Sequence, residues 1–262
     1  MRLLFIGDIV GKPGRRYLKK YLAQLREKHK VDLIIANAEN AAGGAGLTEK
    51  SLRELQGTGV DILTGGNHIW DRKDVFNFID QEQTLVRPAN YPPETTPGRG
   101  SVVVPLEGQN FKVAVLNLLG RVFMEQVDCP FRTADKEINR LAENAEILIV
   151  DFHAEATSEK QAMGWYLNGR VGAVIGTHSH VQTADERILP GGTAYITDVG
   201  MVGLYDAILG VDKEGPIKRF VTQLPCKFEV PDTGKTVFNA VLINFNEKGG
   251  TAKSIERLFE VI

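Results

Sequence analysis

Short apolar runs alternate with polar, helix-periodic stretches through much of the chain. Five runs have the length and composition of buried strands, at residues 3–7, 33–37, 62–66, 147–152 and 171–176. The first intervening stretches predict helices at 14–28, from Thr48 to about Gly57, and from a cap at Asp71 or Asp74 to about Asp80. This alternation is typical of crossover connections between parallel strands.

The pattern after residue 87 predicts an irregular connection followed by mixed elements. A proline-rich stretch without periodicity occupies 87–100, and strands at 100–105 and 111–117 form a hairpin around a turn at 107–110. Further predicted elements are helices at 133–144 and 158–168 and strands at 193–197, 227–230, 237–244 and 255–259. Two sheets packed face to face with helices outside would accommodate this α/β order, and we expect one domain over 1–262.

Composition narrows the class of protein. The chain has 262 residues, 43% of them hydrophobic and 24% charged, with a net charge of -2 and both signs interspersed. No basic patch predicts extended nucleic-acid binding, and no block of like charge predicts a membrane surface. The amino-terminal apolar run is too short for a signal peptide or a spanning helix, so a cytoplasmic location is expected. Cys129 and Cys226 lie far apart without a partner motif, which fits a reducing compartment and excludes a thiolate metal cluster.

Side chains of metal-ligand type follow the predicted buried strands. Asp8, Glu39 and Asn67 follow the first three, and His153 and the run 177–180 (Thr-His-Ser-His) follow the last two. Ligands of open α/β sheets bind outside the carboxyl ends of the strands, so we expect these side chains at one edge of one sheet. Two histidines at i and i+2 in a loop can both turn toward one centre. Carboxylate, amide and imidazole groups together predict a shared polynuclear metal site.

The order of these motifs resembles that of the calcineurin-like metallophosphoesterases. The matching segments are Gly7–Asp8, Gly66–His68, His153 and Gly176–His180, and they span about two-thirds of the chain. The chain is most similar to the bacterial YmdB-type branch, which is described as cyclic-nucleotide phosphodiesterases. The resemblance implies a four-layer α/β/β/α sandwich of two packed mixed sheets. Val10 stands where these enzymes usually have a histidine, so the first metal would have one imidazole fewer.

The resemblance also implies a ligand set for two metal ions. It places Asp8 and His180 at the first metal, Glu39 between both metals, and Asn67, His153 and His178 at the second. Glu39 replaces the usual bridging aspartate, a substitution that the YmdB-type branch itself carries. Such ligands suit iron, manganese and zinc alike, and iron or manganese is the metal expected here. Two ions joined by a carboxylate can trap a hydroxide that attacks phosphorus in line.

The expected function is therefore that of a dinuclear metal-dependent phosphodiesterase. Its substrate would be a small phosphoester, a 2',3'-cyclic nucleotide or cAMP, with no extended nucleic acid and no membrane as partner. His68 is the candidate for stabilising the transition state or protonating the leaving oxygen. Asn40 could bind a substrate oxygen or orient Glu39. Alternatives are a phosphomonoesterase of broad specificity and a non-catalytic metal- or nucleotide-binding regulatory protein.

Several further residues are each compatible with two roles. The loop 43–46 could bring backbone amides close to a phosphate, although a flexible loop is the commoner role. Three carboxylates could orient imidazole nitrogens or simply cap local structure: Asp71, Asp151 and Asp185. A homo-oligomer is compatible with the sequence, because four residues of a glycine-flanked loop could form an interface or the rim of a pocket: Met201, Val202, Leu204 and Tyr205.

Overall fold

The computed structural model describes residues 1–92, 94–106, 108, 111–246 and 250–262. Within these residues the strands are β1 (Arg2–Ile6), β2 (Asp8–Ile9), β3 (Leu33–Asn37), β4 (Ile62–Thr64), β5 (Leu85–Val86), β6 (Ser101–Pro105), β7 (Lys112–Leu119), β8 (Ile147–His153), β9 (Ala173–Thr177), β10 (Arg187–Ile188), β11 (Ala194–Ile196), β12 (Met201–Leu204), β13 (Thr236–Phe245) and β14 (Ala252–Val261). The α-helices are α1 (Gly11–His29), α2 (Glu49–Gln56), α3 (Pro130–Ala142), α4 (Thr157–Tyr166) and α5 (Glu214–Thr222).

The strands form two mixed sheets. In the first, β1, β3, β4 and β5 run parallel, and β1 pairs on its other side with antiparallel β13. The ten residues of β13 also pair with β12 and β14, and β2 lies beyond β12. The second sheet has the order β10-β11-β9-β8-β7-β6, in which β11, β9, β8 and β7 are parallel. Adjacent parallel strands place their carboxyl ends at the same edge of each sheet.

Three apolar cores hold the layers together. The facing surfaces of the two sheets bury one core, which includes Phe5 and Ile35 from the first sheet and Ile149 and Ile175 from the second. The outer surface of the first sheet packs against α1 and α2, and the outer surface of the second packs against α3 and α4. The four-layer α/β/β/α sandwich of two packed mixed sheets is therefore confirmed.

Most predicted elements are present, with shifted ends. Helix α2 begins at the predicted cap, where the Thr48 side chain accepts the Ser51 N–H and the Ser51 side chain accepts the Thr48 N–H. The helix predicted up to Asp80 is wrong, because two 3₁₀ turns at Asn67–Trp70 and Lys73–Asn77 occupy the region. Neither predicted cap is available there, since Asp71 bonds His68 and Asp74 accepts the Glu49 N–H of α2.

The carboxyl-terminal third departs most from the prediction. Residues 227–230 form no strand, whereas β12 and α5 were not predicted. Met201, Val202 and Leu204 are buried in β12 between two other strands, so the expectation that they form an interface or a rim is wrong, and of that group only Tyr205 is exposed. The β6–β7 hairpin is confirmed, but its predicted turn at 107–110 lies outside the described residues except for Gly108.

Two findings bear on the composition arguments. Cys129 and Cys226 are free thiols, and each is half-buried. Among the helices that the structure describes, none combines the length and the apolar character needed to cross a bilayer.

Candidate metal centre

The predicted ligand residues converge where the carboxyl ends of both sheets meet. Asp8, Glu39 and Asn67 follow β1, β3 and β4 of the first sheet, whereas His153 ends β8 and His178 follows β9 of the second. The expectation that one edge of one sheet supplies all of them is therefore wrong. Because the sheets pack face to face, the site lies across the sandwich, and each sheet contributes part of it.

Three donor atoms lie around one nitrogen of the His153 imidazole. Its Nε2 is 3.0 Å from Glu39 Oε1, 3.1 Å from Asn67 Oδ1 and 3.0 Å from His178 Nδ1. Metal–ligand bonds of about 2.1 Å place neighbouring donors about 3 Å apart around an octahedral ion. One carboxylate, one amide and two imidazoles therefore have the spacing of a single metal site.

A second group of polar side chains also lies next to Glu39. His180 Nε2 is 3.7 Å from Asp8 Oδ1 and 3.1 Å from Asn40 Nδ2, which is also 3.1 Å from Glu39 Oε1. Asp8 is fully buried, and its Oδ1 has no hydrogen-bond partner among the described residues. An unpaired buried carboxylate oxygen is costly, so this position fits a bound cation. The nearby Val10 packs in an apolar cluster and supplies no donor.

Hydrogen bonds fix which imidazole nitrogen faces the site. Thr177 Oγ1 accepts from His153 Nδ1 at 2.9 Å and donates to Asp151 Oδ1 at 2.7 Å. His180 Nδ1 donates to the Leu209 carbonyl at 3.0 Å. In both histidines Nδ1 is used in these bonds, so Nε2 is the nitrogen that faces the site and can serve as a metal ligand. Asp151 therefore acts on His153 through Thr177 rather than directly.

His178 faces the site through its other nitrogen. Its Nε2 lies 3.0 Å from Glu155 Oε2, which leaves Nδ1 toward His153. Sequence reasoning missed Glu155, although a carboxylate two residues after His153 is a detectable signal. Asp185, one of the carboxylates expected either to orient an imidazole or to cap local structure, bonds Thr183 and Thr197 and so has the local role.

His68 lies beside the cluster and is only partly buried. Its backbone N–H donates to Glu39 Oε2 at 2.9 Å, and its Nδ1 is 2.8 Å from Asp71 Oδ2. Of the two roles left open for Asp71, this contact favours orienting an imidazole over capping local structure. It leaves His68 Nε2 as the nitrogen without an assigned bond.

The loop that carries His178 and His180 has an unfavourable backbone. Both residues have positive φ, 101° and 63°, a conformation that costs free energy in residues other than glycine. The His178 N–H donates to Asp8 Oδ2, and the Ser179 N–H donates to Asp198 Oδ2 at 2.9 Å. Asp198 is in turn paired with Lys160 at 2.6 Å, and both side chains are 1% exposed. The buried pair thus anchors a strained ligand loop.

Gly66 and the glycine-rich loop 42–46 differ in what they contribute to the site. A Cβ at Gly66 would lie 2.5 Å from His153 Nε2 and would also collide with the Glu39 carboxylate, so only glycine fits there. In the loop 42–46, the Ala42, Gly43 and Gly44 amides all donate to carbonyls between residues 40 and 46. Those three amides are therefore not free to bind a phosphate.

The buried groups have strongly perturbed pKa values. Burial alone would raise the pKa of Glu39, but the charge and hydrogen bond of His153 outweigh it and lower that pKa to about 2. Burial alone would lower the pKa of His153, but the Glu39 carboxylate outweighs it and raises that pKa to about 9. Burial and the charge on His153 lower the pKa of His178 to about 3. Burial raises the pKa of Asp8. Positive charge beside Glu39 is thus strongly favoured.

A cavity of about 560 Å³ opens onto the cluster. Polar residues of the site, among them His68, His178 and His180, line one side of it. The rest of the lining comes from α5, the preceding loop and the segment that follows α5, and most of it is apolar.

A four-layer sandwich that brings carboxylate, amide and imidazole donors to its strand ends defines a metallophosphoesterase. The chain belongs to the YmdB-like protein family, which matches residues 4–258. It is 54% identical over 258 residues to a Bacillus subtilis protein named 2',3'-cyclic-nucleotide 2'-phosphodiesterase, covering 98% of this chain and 96% of that protein. It is 40% identical to a Mycoplasma pneumoniae protein named as a candidate phosphatase/phosphodiesterase, covering 89% and 84% of the two chains.

Solved structures support the same conclusion. A hypothetical protein from Thermus thermophilus superposes with a TM-score of 0.92 at 42% identity, covering 100% of this chain and 99% of that one. A structure described as a novel phosphatase from Mycoplasma pneumoniae gives 0.92 at 36% identity, covering 100% and 93%. A candidate 5'-nucleotidase from Staphylococcus aureus gives 0.64 at 14% identity, covering 98% of this chain and 54% of that one, which shows a shared fold only.

Proposed function

We propose that the chain is a dinuclear metal-dependent phosphodiesterase that hydrolyses 2',3'-cyclic nucleotides, carried by a single domain over residues 1–262. The observation that supports this most is the position of Glu39. Its Oε1 lies 3.0 Å from His153 Nε2 of one cluster and 3.1 Å from Asn40 Nδ2, which in turn contacts His180 Nε2 of the other cluster. The name of the Bacillus subtilis relative supports the choice of substrate.

The donor sets divide into two metal sites in this proposal. Asp8 and His180 would hold the first metal, Glu39 would bridge both, and the second would be held by Asn67, His153 and His178. Asn40 contacts both Glu39 and His180, so we assign it to orienting these ligands, within reach of a substrate oxygen in the cavity. Iron or manganese is our expectation, because imidazole, carboxylate and amide donors suit both. When bound, the ions supply Lewis acidity and a nucleophile at neutral pH.

The chain's own groups supply the remaining chemistry. The cleaved ester leaves a ribose oxygen that must take up a proton. His68 lines the cavity, and because its Nδ1 is bonded to Asp71, Nε2 is the nitrogen that can donate that proton. We therefore assign His68 as the general acid. A regulatory protein that only binds a nucleotide would have no use for this group.

A second candidate function is that of a phosphomonoesterase. The description of the Mycoplasma pneumoniae structure as a phosphatase favours it. The two activities differ in the substrate charge that the site must accept, because a monoester carries up to two negative charges and a cyclic diester carries one. Comparing kcat/KM for adenosine 2',3'-cyclic phosphate with that for adenosine 3'-phosphate decides between them.

The test follows turnover of 2',3'-cyclic nucleotides by ³¹P NMR in the protein reconstituted with manganese or iron, alongside metal analysis. We expect Glu39→Gln to lose both metal and activity. His68→Ala should retain its metal and lose roughly 100-fold or more in kcat. His29→Ala is the matched control, because this histidine lies on α1 outside the cavity. Activity of His68→Ala equal to that of the parent would remove the general-acid assignment, and faster hydrolysis of monoesters would favour the phosphatase.

A further inference from the structure

The cavity over the metal centre has two chemically different walls. One wall carries the histidines, and the other, the apolar wall, consists of side chains from α5 and the segments on either side of it. Its apolar members are Ile208, Leu209, Val211, Pro216, Phe220 and Phe228. Two of them are aromatic and well exposed, Phe220 at 73% and Phe228 at 44%. Aromatic side chains so exposed beside a polar site suggest a ligand with an apolar face.

One positive charge belongs to this wall. The Arg219 guanidinium lies 5.7 Å from the centroid of the Phe228 ring, in cation–π geometry. Phe228 and Arg219 thus present an aromatic ring and a planar cation together. Both kinds of group stack on nucleobases, and base stacking of this kind tolerates every base because each has a π-face.

The wall is fixed to the rest of the site rather than loosely attached. The Asp212 N–H donates to the Glu229 carbonyl at 2.8 Å, which holds the segment after Phe228 against the loop before α5. Val230 fills the space left by two glycines, because a Cβ at Gly11 or Gly44 would meet its methyl groups at 2.8 or 2.6 Å. Residues 227–230 form no strand, and the Val230 side chain of this segment lies against Gly11 and Gly44.

The wall is also joined directly to a metal-ligand residue. Leu209 lines the apolar side, and its carbonyl accepts the bond from His180 Nδ1 at 3.0 Å. One hydrogen bond therefore connects His180 of the candidate centre to the apolar wall. The two ends of a nucleotide match the two walls of the cavity. The anionic phosphate matches the polar wall, and the flat base matches the apolar wall.

We infer that Phe220, Phe228 and Arg219 form the subsite that binds the nucleobase of the substrate. This inference rests on the proposed function and adds to it the group that distinguishes nucleotides from simpler phosphoesters. Because stacking needs only a π-face, the subsite accepts all four bases and binds the larger purines more tightly than pyrimidines. Base recognition and metal chemistry are then supplied by separate parts of the chain.

The experiment compares a nucleotide with a base-free analogue. The substrates are adenosine 2',3'-cyclic phosphate and methyl riboside 2',3'-cyclic phosphate, tested on the metal-loaded parent, Phe220→Ala and Phe228→Ala. Each substitution should raise KM for the nucleotide about 10-fold, which corresponds to about 1.4 kcal/mol, and leave kcat/KM for the analogue unchanged. Phe259→Ala is the matched control, because Phe259 is 58% exposed on β14 and does not line the cavity.

A binding measurement separates this inference from the proposed function. Calorimetric titration of adenosine 3'-phosphate into the parent and into Phe228→Ala should show an affinity about 10-fold lower in the variant. This result is expected whether or not the protein hydrolyses the cyclic ester. If the substitutions impair kcat/KM equally for the nucleotide and the base-free analogue, or leave KM for the nucleotide unchanged, the assignment of this subsite is wrong. Sedimentation showing that these substitutions dissociate an oligomer while KM stays constant would also overturn it, in favour of contact between copies of the chain. If neither ester is hydrolysed, the proposed function fails, and the titration alone decides the inference.

Discussion

Replacing Lys160 with methionine tests how the ligand loop is held. The Lys160 ammonium contacts Asp198 Oδ2 at 2.6 Å, and both side chains are 1% exposed. The same carboxylate accepts the Ser179 N–H at 2.9 Å and the Gly200 N–H at 2.8 Å. Methionine fills a similar volume but leaves the Asp198 charge buried without its counter-ion. Breaking a buried pair in this way costs about 3–5 kcal/mol of unfolding free energy.

The assay is denaturant unfolding of the metal-free protein at pH 7, with a double-mutant cycle. Lys160→Met should destabilise by the amount above, and the additional substitution Asp198→Asn should recover part of the loss, because asparagine is neutral and its oxygen can still accept the Ser179 N–H. Metal occupancy should also fall in Lys160→Met, since the loop with positive φ at His178 and His180 loses its anchor.

The matched control is Lys227→Met. Lys227 pairs with Glu229 at 2.8 Å, but its side chain is 82% exposed, so its removal should leave the unfolding transition where it was. If Lys160→Met unfolds no more easily than Lys227→Met, the buried pair does not stabilise the fold. If it is destabilised but binds metal as the parent does, the pair has no role in positioning the ligand loop.

Three further predictions concern the centre itself. Gly66→Ala should abolish metal binding measured by elemental analysis, because the new Cβ would meet His153 and Glu39; normal metal content would show that the strand end can shift. Glu155→Gln should weaken metal affinity about 10- to 100-fold in a competitive chelator titration, since Glu155 orients His178, and unchanged affinity would show that His178 needs no such partner. In the metal-free protein, burial alone would lower the pKa of His153. The Glu39 carboxylate outweighs this effect and raises the pKa of His153 from 6.5 to about 9. The stabilisation from this pair is therefore complete between about pH 4.5 and pH 6.5, is lost as pH rises through 9, and is also lost as pH falls through about 2. Glu39→Gln should accordingly destabilise the protein less at pH 10 than at pH 6, and an equal effect at both pH values would argue against the ion pair.

The side chains that converge at the candidate centre could be picked out from the sequence because their signal is local. Strand-length apolar runs locate the strand ends, and the side chains of Asp8, Glu39, Asn67 and His153 follow those runs directly. Their pairing into clusters depends on the packing of two sheets against each other. Nothing in the spacing along the chain specifies that packing, which is why one sheet edge was expected in place of two.

Residues that support the ligands were harder to predict. Lys160 and Asp198 are 38 positions apart and meet only when α4 packs against the second sheet. Phe228 and Arg219 both line the cavity, and Val230, two positions after Phe228, lies against Gly11 and Gly44, a contact between distant segments. Local patterns predicted a strand at 227–230 because alternating apolar residues look the same whether they face a sheet or a cavity.

We propose that Glu39 joins two metal ions held by residues from both sheets. The most direct test is anomalous X-ray scattering, measured at the iron, manganese and zinc edges, from crystals of protein purified without chelator. We expect two peaks about 3.5–4 Å apart, with the Glu39 carboxylate between them. One peak should lie beside Asp8 and His180. The other should lie among Asn67, His153 and His178. A single peak, or two peaks that Glu39 does not contact, would contradict it.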